Sequence, residues 1–458
     1  MRNLFWAVCC VFVAGFVSGC QRSDRQFTGA AGEVRLITLA PGHFHAALVQ
    51  KSMYEQVSAV VHVYAPDGGD VREHLKTVAG FNERAENPTS WDERVYLGED
   101  FLERMIAEGK GNVVVVSGNN SAKTDYIFRA VEAGFNVLAD KPMVISPEKF
   151  PLLVRAFEEA RENDVLLYDI MTERYEITTI LQRELSRIED LFGELREGTE
   201  EEPAVTKESV HHFFKYVAGN AIRRPGWFFD FRQRGEGLVD VSTHLVDLIQ
   251  WECFPEEIID YRKDIEMLSA RRWTTAMSGE EFTKVTGLAE FPDYLDEFVE
   301  DGMLNVYSNG EMNYRIKGVH AKVKVTWRFE AGEGGGDTHR SIMRGTLSNL
   351  VISQGEDEDF KATLYIEAAG EGEIDGAVAR GIEKLGRRYA GIGVKRVGEG
   401  RWEVLIPDEY RTGHEAHFGQ VTESYLGYLV DGELPVWEEP NMIAKYYTTT
   451  EALRMAME

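Results

Sequence analysis

Hydrophobic and polar positions along the chain change period twice. From Glu33 onward, short β-rich runs alternate with segments of helical spacing. "VRLITLA" (34–40), "AVVHVYA" (59–65), "GNVVVVSGNN" (111–120), "NVLADKP" (136–142) and "VLLYDI" (165–170) read as strands. The uninterrupted apolar stretch of the third is the pattern of a strand buried on both faces. Between them, "HFHAALVQKSMYEQ" (43–56), "AKTDYIFRAVEAG" (122–134) and "SPEKFPLLVRAFEEARENDV" (146–165) have helical spacing. Gly134 ends the second, and Pro147 stands near the start of the third. Strand–helix alternation predicts a doubly wound parallel sheet over residues 33–172.

After that the period changes. "ERYEITTILQRELSRIEDLFG" (173–193) predicts one long helix. Strand-like runs follow: "ESVHHFFKYV", "TKVTGLAEF", "MLNVYSNGEMNYRIK", "AKVKVTWRFEA", "GTLSNLVISQ" and "ATLYIEA". Two closing helices, "HFGQVTESYLGYLVDG" and "NMIAKYYTTTEALRMAM", complete the chain. The expectation for 173–458 is an α+β domain around a large, mainly antiparallel sheet with helices on one face.

The first residues have a different character. "MRNLFWAVCCVFVAGFVSGC" has a cation at Arg2, an apolar run from Leu4 to Val17, and small residues before Cys20. The run is short for a bilayer span and reads as an export signal over 1–19. It also resembles a bacterial lipoprotein cleavage box, which implies lipidation at Cys20. Residues 20–32 would then be a polar tether, and the protein an exported, membrane-anchored lipoprotein facing the periplasm or the cell surface. Only Cys253 remains in the mature chain, so no internal disulfide is expected. The chain has 77 acidic and 50 basic residues, a net charge of −27. Such a surface repels nucleic acid and anionic lipid headgroups, so the lipid would be its one membrane contact.

Candidate chemistry lies in two places. In "GEGLVDVSTHLVDLIQW" (235–251), Asp240, His244, Asp247 and Trp251 form one polar stripe if the segment is helical. An acid one turn from a histidine can accept its N–H and raise its basicity, as a general base requires. A plain amphipathic helix with incidental polar residues fits the same spacing. No metal site is expected, because no third ligand stands nearby at a standard spacing. In "AGFNVLADKPM" (133–143), Lys141 follows a buried strand, at the sheet edge where α/β enzymes bind ligands.

Together, the Asp140-Lys141-Pro142 motif and the later Gly235, Gly237, Asp240, His244 and Asp247 resemble the Gfo/Idh/MocA family of nicotinamide-dependent oxidoreductases. The "GHFHA" loop and the C-terminal strands resemble the branch with a distinctive oxidoreductase C-terminal domain. The resemblance implies a Rossmann-type first domain and a sugar or glycoside substrate. It implies NAD as cofactor, NADP less so, and possible homo-oligomers. Lys141 would sit beside the nicotinamide and the reacting hydroxyl, His244 would take the hydroxyl proton, and Asp240 would orient the histidine or bind a neighbouring hydroxyl. Cofactor contacts would fall to Gly42, His43, His45, Asp67, Ser117, Asn119, Asn120 and Asp140, with Asp70 competing for the Asp67 role. Substrate contacts would fall to Arg174, His212, Trp227 and Asp247, with at most one of His211 and His212 facing the site. His339-Arg340 and the His414/His417 pair reach the same cleft or are plain surface, and the residues leave both readings open.

One departure stands out. The family's glycine-rich loop after the first strand is reduced here to Gly42, which removes two positions of close backbone approach to pyrophosphate. Because free NAD is not expected outside the cytoplasm, a tightly held cofactor, reoxidised in each cycle, would reconcile export with redox chemistry. Transient oxidation would also acidify a neighbouring C–H and permit cleavage of a glycosidic bond. Two rivals remain: a glycan-binding lipoprotein that lost the cofactor, and a metal-dependent hydrolase.

Overall fold

The computed structural model describes residues 27–458 except 218, 219, 333, 334, 371 and 373. The expected signal segment and Cys20 lie outside the described residues. Among those described, no helix is long and apolar enough to cross a membrane. Residues 27–32, assigned in sequence to a tether, belong to the folded unit: Phe27 is buried in the first core, and the Gly32 N–H donates to the Glu55 carbonyl.

The first unit is a six-stranded, all-parallel sheet. Its strands are β1 (Leu36–Leu39), β2 (Val60–Ala65), β3 (Asp92–Leu97), β4 (Val113–Val116), β5 (Asn136–Asp140) and β6 (Leu167–Ile170), in spatial order β3-β2-β1-β4-β5-β6. That order reverses direction between β1 and β4, which opens a ligand crevice at their carboxyl ends. The central strands are β-branched and buried on both faces, as their apolar runs require. The helices are α1 (His45–Leu48), α2 (Gly69–Glu83), α3 (Phe101–Glu108), α4 (Lys123–Glu132) and α5 (Phe150–Glu162). The helix expected over 43–56 is a single turn. β3, with its polar, exposed edge pattern, gave no apolar signal.

The long helix expected over 173–193 is instead a 3₁₀ turn (Thr172–Tyr175) followed by α6 (Ile177–Ser186) and α7 (Glu189–Phe192). Glu176 interrupts it, because its carboxylate accepts the Thr179 N–H at 3.0 Å and restarts the helix. The next elements are β7 (Val205–Phe214), β8 (Tyr216–Val217), β9 (Asn220–Ala221), α8 (Phe231–Arg234), α9 (Ser242–Cys253), β10 (Ile265–Ser278) and α10 (Gly279–Thr286). Here "TKVTGLAEF" is not a strand: its first four residues close α10, and residues 287–291 are irregular. Ser278 and Glu281 form a reciprocal cap, and Gly287 ends the helix with φ +81°. The remainder is β11 (Val299–Glu300), β12 (Met303–Ile316), β13 (Val319–Glu330), β14 (Thr338–Arg344), β15 (Ser348–Gln354), β16 (Thr363–Ala368), α11 (Asp375–Gly386), β17 (Gly393–Gly398), β18 (Arg401–Leu405), α12 (His414–Asp431) and α13 (Glu438–Met457).

The second sheet runs β10-β12-β13-β7-β14-β15-β16-β18-β17, with β11 on β12. Only the β13–β7 pairing is parallel; the rest is antiparallel. α9 packs on this sheet through Leu245, Val246 and Ile249. Gly237 makes the approach possible: a Cβ there would stand 2.2 Å from the Ser308 carbonyl oxygen on β12. The closing helices cross back. Phe418, Tyr425, Met442 and Tyr446 belong to the core of the parallel sheet, so the chain's end stitches the two units together.

A buried ion network fastens that joint. Arg174 grips Asp247 with two hydrogen bonds of 2.7 Å, and its third nitrogen reaches Glu438 at 2.8 Å. Lys445 bridges Asp247 at 2.9 Å and Asp169 at 2.6 Å. Burial alone would raise the Asp247 carboxyl, but Arg174 and Lys445 hold it below the usual range. Replacing Asp247 with Ala takes one acid from each of two buried cations, leaving Arg174 with Glu438 and Lys445 with Asp169, and should cost about 3 kcal/mol, read as a lower urea midpoint. The native chain should also weaken in acid. A carboxyl lowered on folding stabilises above its unfolded value of about 4 and ceases to below it. Burial holds His74 down to about 4 and His45 to about 3, so neither takes a proton where the unfolded chain does. Each of these histidines therefore removes stability as pH falls through about 6.5, while Glu93, Glu173 and Glu236, which burial raises to about 7, add stability as they take protons. A His74→Gln variant should show a urea midpoint that falls less than that of wild type between about pH 7 and 5.

Candidate active site

Lys141 ends β5 and points at the segment leading into α9. Its ammonium donates to Asp240 Oδ1 at 2.8 Å, and Arg234 meets the other oxygen at 2.5 Å. Burial would raise the Asp240 carboxyl; these two cations hold it below the ordinary range. Asp240 lies in the turn before α9, so it does not share a helical stripe with His244 and Asp247. The sequence expectation that Asp240 orients His244 is corrected here, since two stronger partners take both carboxylate oxygens.

His244 stands on the first turn of α9. Its Nδ1 is buried and has no partner. Burial and then the nearby Lys141 push its pKa well below 6.5, so the ring is neutral. It lines a cavity of about 180 Å³ with Glu173, Glu176, His211, Asp337 and His339. Of the two adjacent histidines, His211 faces this cavity. His212 is buried behind it, with Nδ1 3.0 Å from Asp337. The choice of His212 is thereby corrected; alternation along β7 turns only one of them inward. Arg174 and Asp247 are also corrected as substrate ligands, because their charged atoms are consumed by the buried network.

The crevice at the β1, β2 and β4 ends is a second cavity, of about 400 Å³. It is lined by Ala40, Pro41, Ala65, Pro66, Gly68, Gly69, Asp70 and Asn119. That volume falls among ordinary cofactor pockets of roughly 300–1,000 Å³. Gly68 and Gly69 open the fifteen-residue α2, and a Cβ on either would meet nothing within 4 Å. The helix N-terminus and an acid in its first turn suit a nucleotide's ribose and phosphate groups. Asp67 is not that acid: it is exposed and pairs with Arg72. Asp70 lines the cleft and accepts the Trp227 indole N–H at 3.0 Å. Trp227, expected on the substrate, thus closes against the first unit.

The glycine-poor loop is pinned rather than open. The Gly42 N–H donates to the Ser117 carbonyl at 3.1 Å. Gly118 is the close-approach glycine that the sequence reading missed, since its Cβ would lie 2.2 Å from the Ala40 carbonyl oxygen. His45 Nδ1 lies 3.1 Å from both Asp140 oxygens, and His43 Nδ1 3.5 Å from one. Ser117 Oγ donates to Asp140 at 2.9 Å, and Lys123 to the Asp140 carbonyl at 2.9 Å. Donor atoms of His43, His45 and Asp140 fall within 4.8 Å of one another, a spacing that could suit a metal. The buried Lys123 and the neighbouring Lys141 oppose a divalent cation there. The His414 ring lies tilted, 5.2 Å from that of His45, and His417 is buried. Asn119 and Asn120 bind the other unit: their amides donate to Gln233 Oε1 and the Arg234 carbonyl, both at 2.6 Å.

The comparisons with known proteins agree with this architecture. The family described as "Oxidoreductase family, NAD-binding Rossmann fold" matches residues 38–168. The "Putative oxidoreductase C terminal domain" matches residues 181–457. Among curated proteins, none matches the chain. A crystal structure described as a "putative oxidoreductase" from Parabacteroides merdae is 56% identical over 94% of this chain and 99% of its own, with a TM-score of 0.93. More distant likenesses show the fold alone. A 3-ketoreductase from Actinomadura kijaniata, in complex with NADP, has a TM-score of 0.54 at 16% identity over 92% and 97% of the two chains. A levoglucosan dehydrogenase in complex with NADH has 0.58 at 11% over 92% and 97%. With both units matched in order, the chain belongs to the Gfo/Idh/MocA family of oxidoreductases, in the branch that carries the oxidoreductase C-terminal domain.

Proposed function

We propose that this protein oxidises a secondary hydroxyl of a sugar or glycoside with a tightly held NAD, as the redox step of glycoside cleavage. The observation that carries the reading is the neutral His244, whose buried Nδ1 has no partner and whose pKa is lowered by burial and by the nearby Lys141, itself paired with Asp240. The 3-ketoreductase and the levoglucosan dehydrogenase among the structural likenesses are consistent with a sugar substrate.

The residues divide the work as follows. Nicotinamide dinucleotide, when bound in the crevice, supplies a two-electron acceptor for hydride. Asp70 would take the ribose hydroxyls there once Trp227 yields its hydrogen bond. A carboxylate at that point repels a 2′-phosphate, which favours NAD over NADP. Lys141, held in place by Asp240, sets a positive charge where negative charge grows on the reacting oxygen. His244 accepts the hydroxyl proton on its neutral imidazole. Its depressed pKa keeps it in the accepting form well below neutrality. The apolar sequence before Cys20 supports export and lipid anchoring.

Acid denaturation of the purified full chain should release NAD in near one-to-one amount, measured by absorbance and mass. Absence of NAD, with no thermal shift on adding it, would favour the glycan-binding alternative. His244→Gln should lower turnover by about 10²–10⁴ while NAD content stays unchanged. Because folding lowers the His244 pKa, wild-type kcat should show no acid limb near pH 6.5. A rate that halves at that pH would contradict the assignment.

A further inference from the structure

The segment 222–234 is rich in arginine, and among the described residues two of its arginines lack an acid: Arg223, which is exposed, and Arg224, which is partly buried. Arg232 pairs with Asp230 and Glu297, and Arg234 shares Asp240 with Lys141. Arg224 has no carboxylate within 4 Å among the described residues. Its Nε and Nη2 donate to the main-chain carbonyls of Phe213 at 2.8 Å and His212 at 3.3 Å. Its guanidinium carbon stands 4.3 Å from the Phe228 ring and 5.3 Å from the Trp327 ring. The Arg234 guanidinium lies over the same two rings, at 3.9 and 4.4 Å.

Two like charges therefore share one aromatic pair in a desolvated place. Burial and the neighbouring Arg234 push the Arg224 pKa down to about 9, yet a guanidinium stays charged at neutral pH. A desolvated cation without a counter-ion is costly unless a partner arrives. The chain is not short of acids, with a net charge of −27, but it sets none here. The rings also connect this place to the reacting groups. Trp327 stacks on His211 at 5.1 Å, His211 lines the His244 cavity, and Arg234 reaches Lys141 through Asp240.

The acids that face this place are accounted for. Asp337 is held by Lys215 at 2.5 Å and by His212 at 3.0 Å. Asp240 is divided between Lys141 and Arg234. Glu173 and Glu176 line the same cavity, but burial raises both, Glu173 to about 7. One free guanidinium, with Arg234 only half neutralised, matches one planar monoanion better than a dianion.

Resting on the reading of a sugar oxidoreductase, we propose that Arg224 and Arg234 form a carboxylate-binding subsite, and that the substrate is a uronic acid or its glycoside. The test is calorimetric binding of methyl glucuronide, methyl glucoside and glucose 6-sulfate to the purified full chain, without turnover. Wild type should bind the glucuronide about thirtyfold or more tighter than the glucoside. Arg224→Gln should erase that preference while leaving glucoside affinity within about threefold, and Arg224→Lys should keep part of it. If the glutamine variant fails to fold, the wild-type comparison and the lysine variant decide. Equal affinity for glucuronide and glucoside overturns the subsite, and tighter binding of the sulfate overturns the carboxylate assignment. Glucuronide preference in a chain that holds no NAD would sink the redox reading alone, whereas NAD without preference would sink this inference alone.

Discussion

Asp247 is the point on which the two units turn. It is buried on α9, gripped by Arg174 from the end of the first unit and by Lys445 from the closing helix. Buried ion pairs of this kind add little net stability compared with apolar packing, but they tolerate one arrangement only, because every charge needs its partner. That constraint sets the rotation and height of α9. His244, one turn earlier, is placed by it, and Asp240 just ahead of the helix meets Lys141. A site shared between two units is held by charges that neither unit could satisfy alone.

The cofactor side is solved differently from the common pattern. Where glycines would leave space, His43 and His45 lean on Asp140, and the loop amide of Gly42 is tied to Ser117. Close approach is kept by Gly118 on the neighbouring loop. The crevice beyond remains open over Gly68 and Gly69 at the start of α2, while Trp227 and the two asparagines lock the second unit across it.

Much of this was legible in the residues. The alternation of buried runs defined the parallel sheet, and Lys141, Asp240 and His244 were singled out by spacing. The errors share a cause. "TKVTGLAEF" has strand-like composition, but a helix capped by Ser278, outside it, takes its first four residues. His211 and His212 are indistinguishable by type, and only the register of β7 against β13 decides which meets the cavity. Asp67 and Asp70 differ by three positions, and the first turn of α2 carries one outward and the other into the cleft. Arg224 and Arg234 sat in plain view in "RRPGWFFDFRQRG", but nothing local says which arginine lacks an acid.

By itself, then, the sequence determined what local periodicity and residue chemistry can encode: the two sheet types, the strand-end lysine, and an acid and a histidine near the start of one helix. Tertiary structure decided the pairings. It gave Asp240 to Lys141 instead of His244, consumed Arg174 and Asp247 in the joint, and left Arg224 unneutralised. Those outcomes depend on which charges meet across more than seventy residues of chain, as Arg174 and Asp247 do. Burial makes such meetings selective, because a charge removed from water must find its partner wherever the fold has put it.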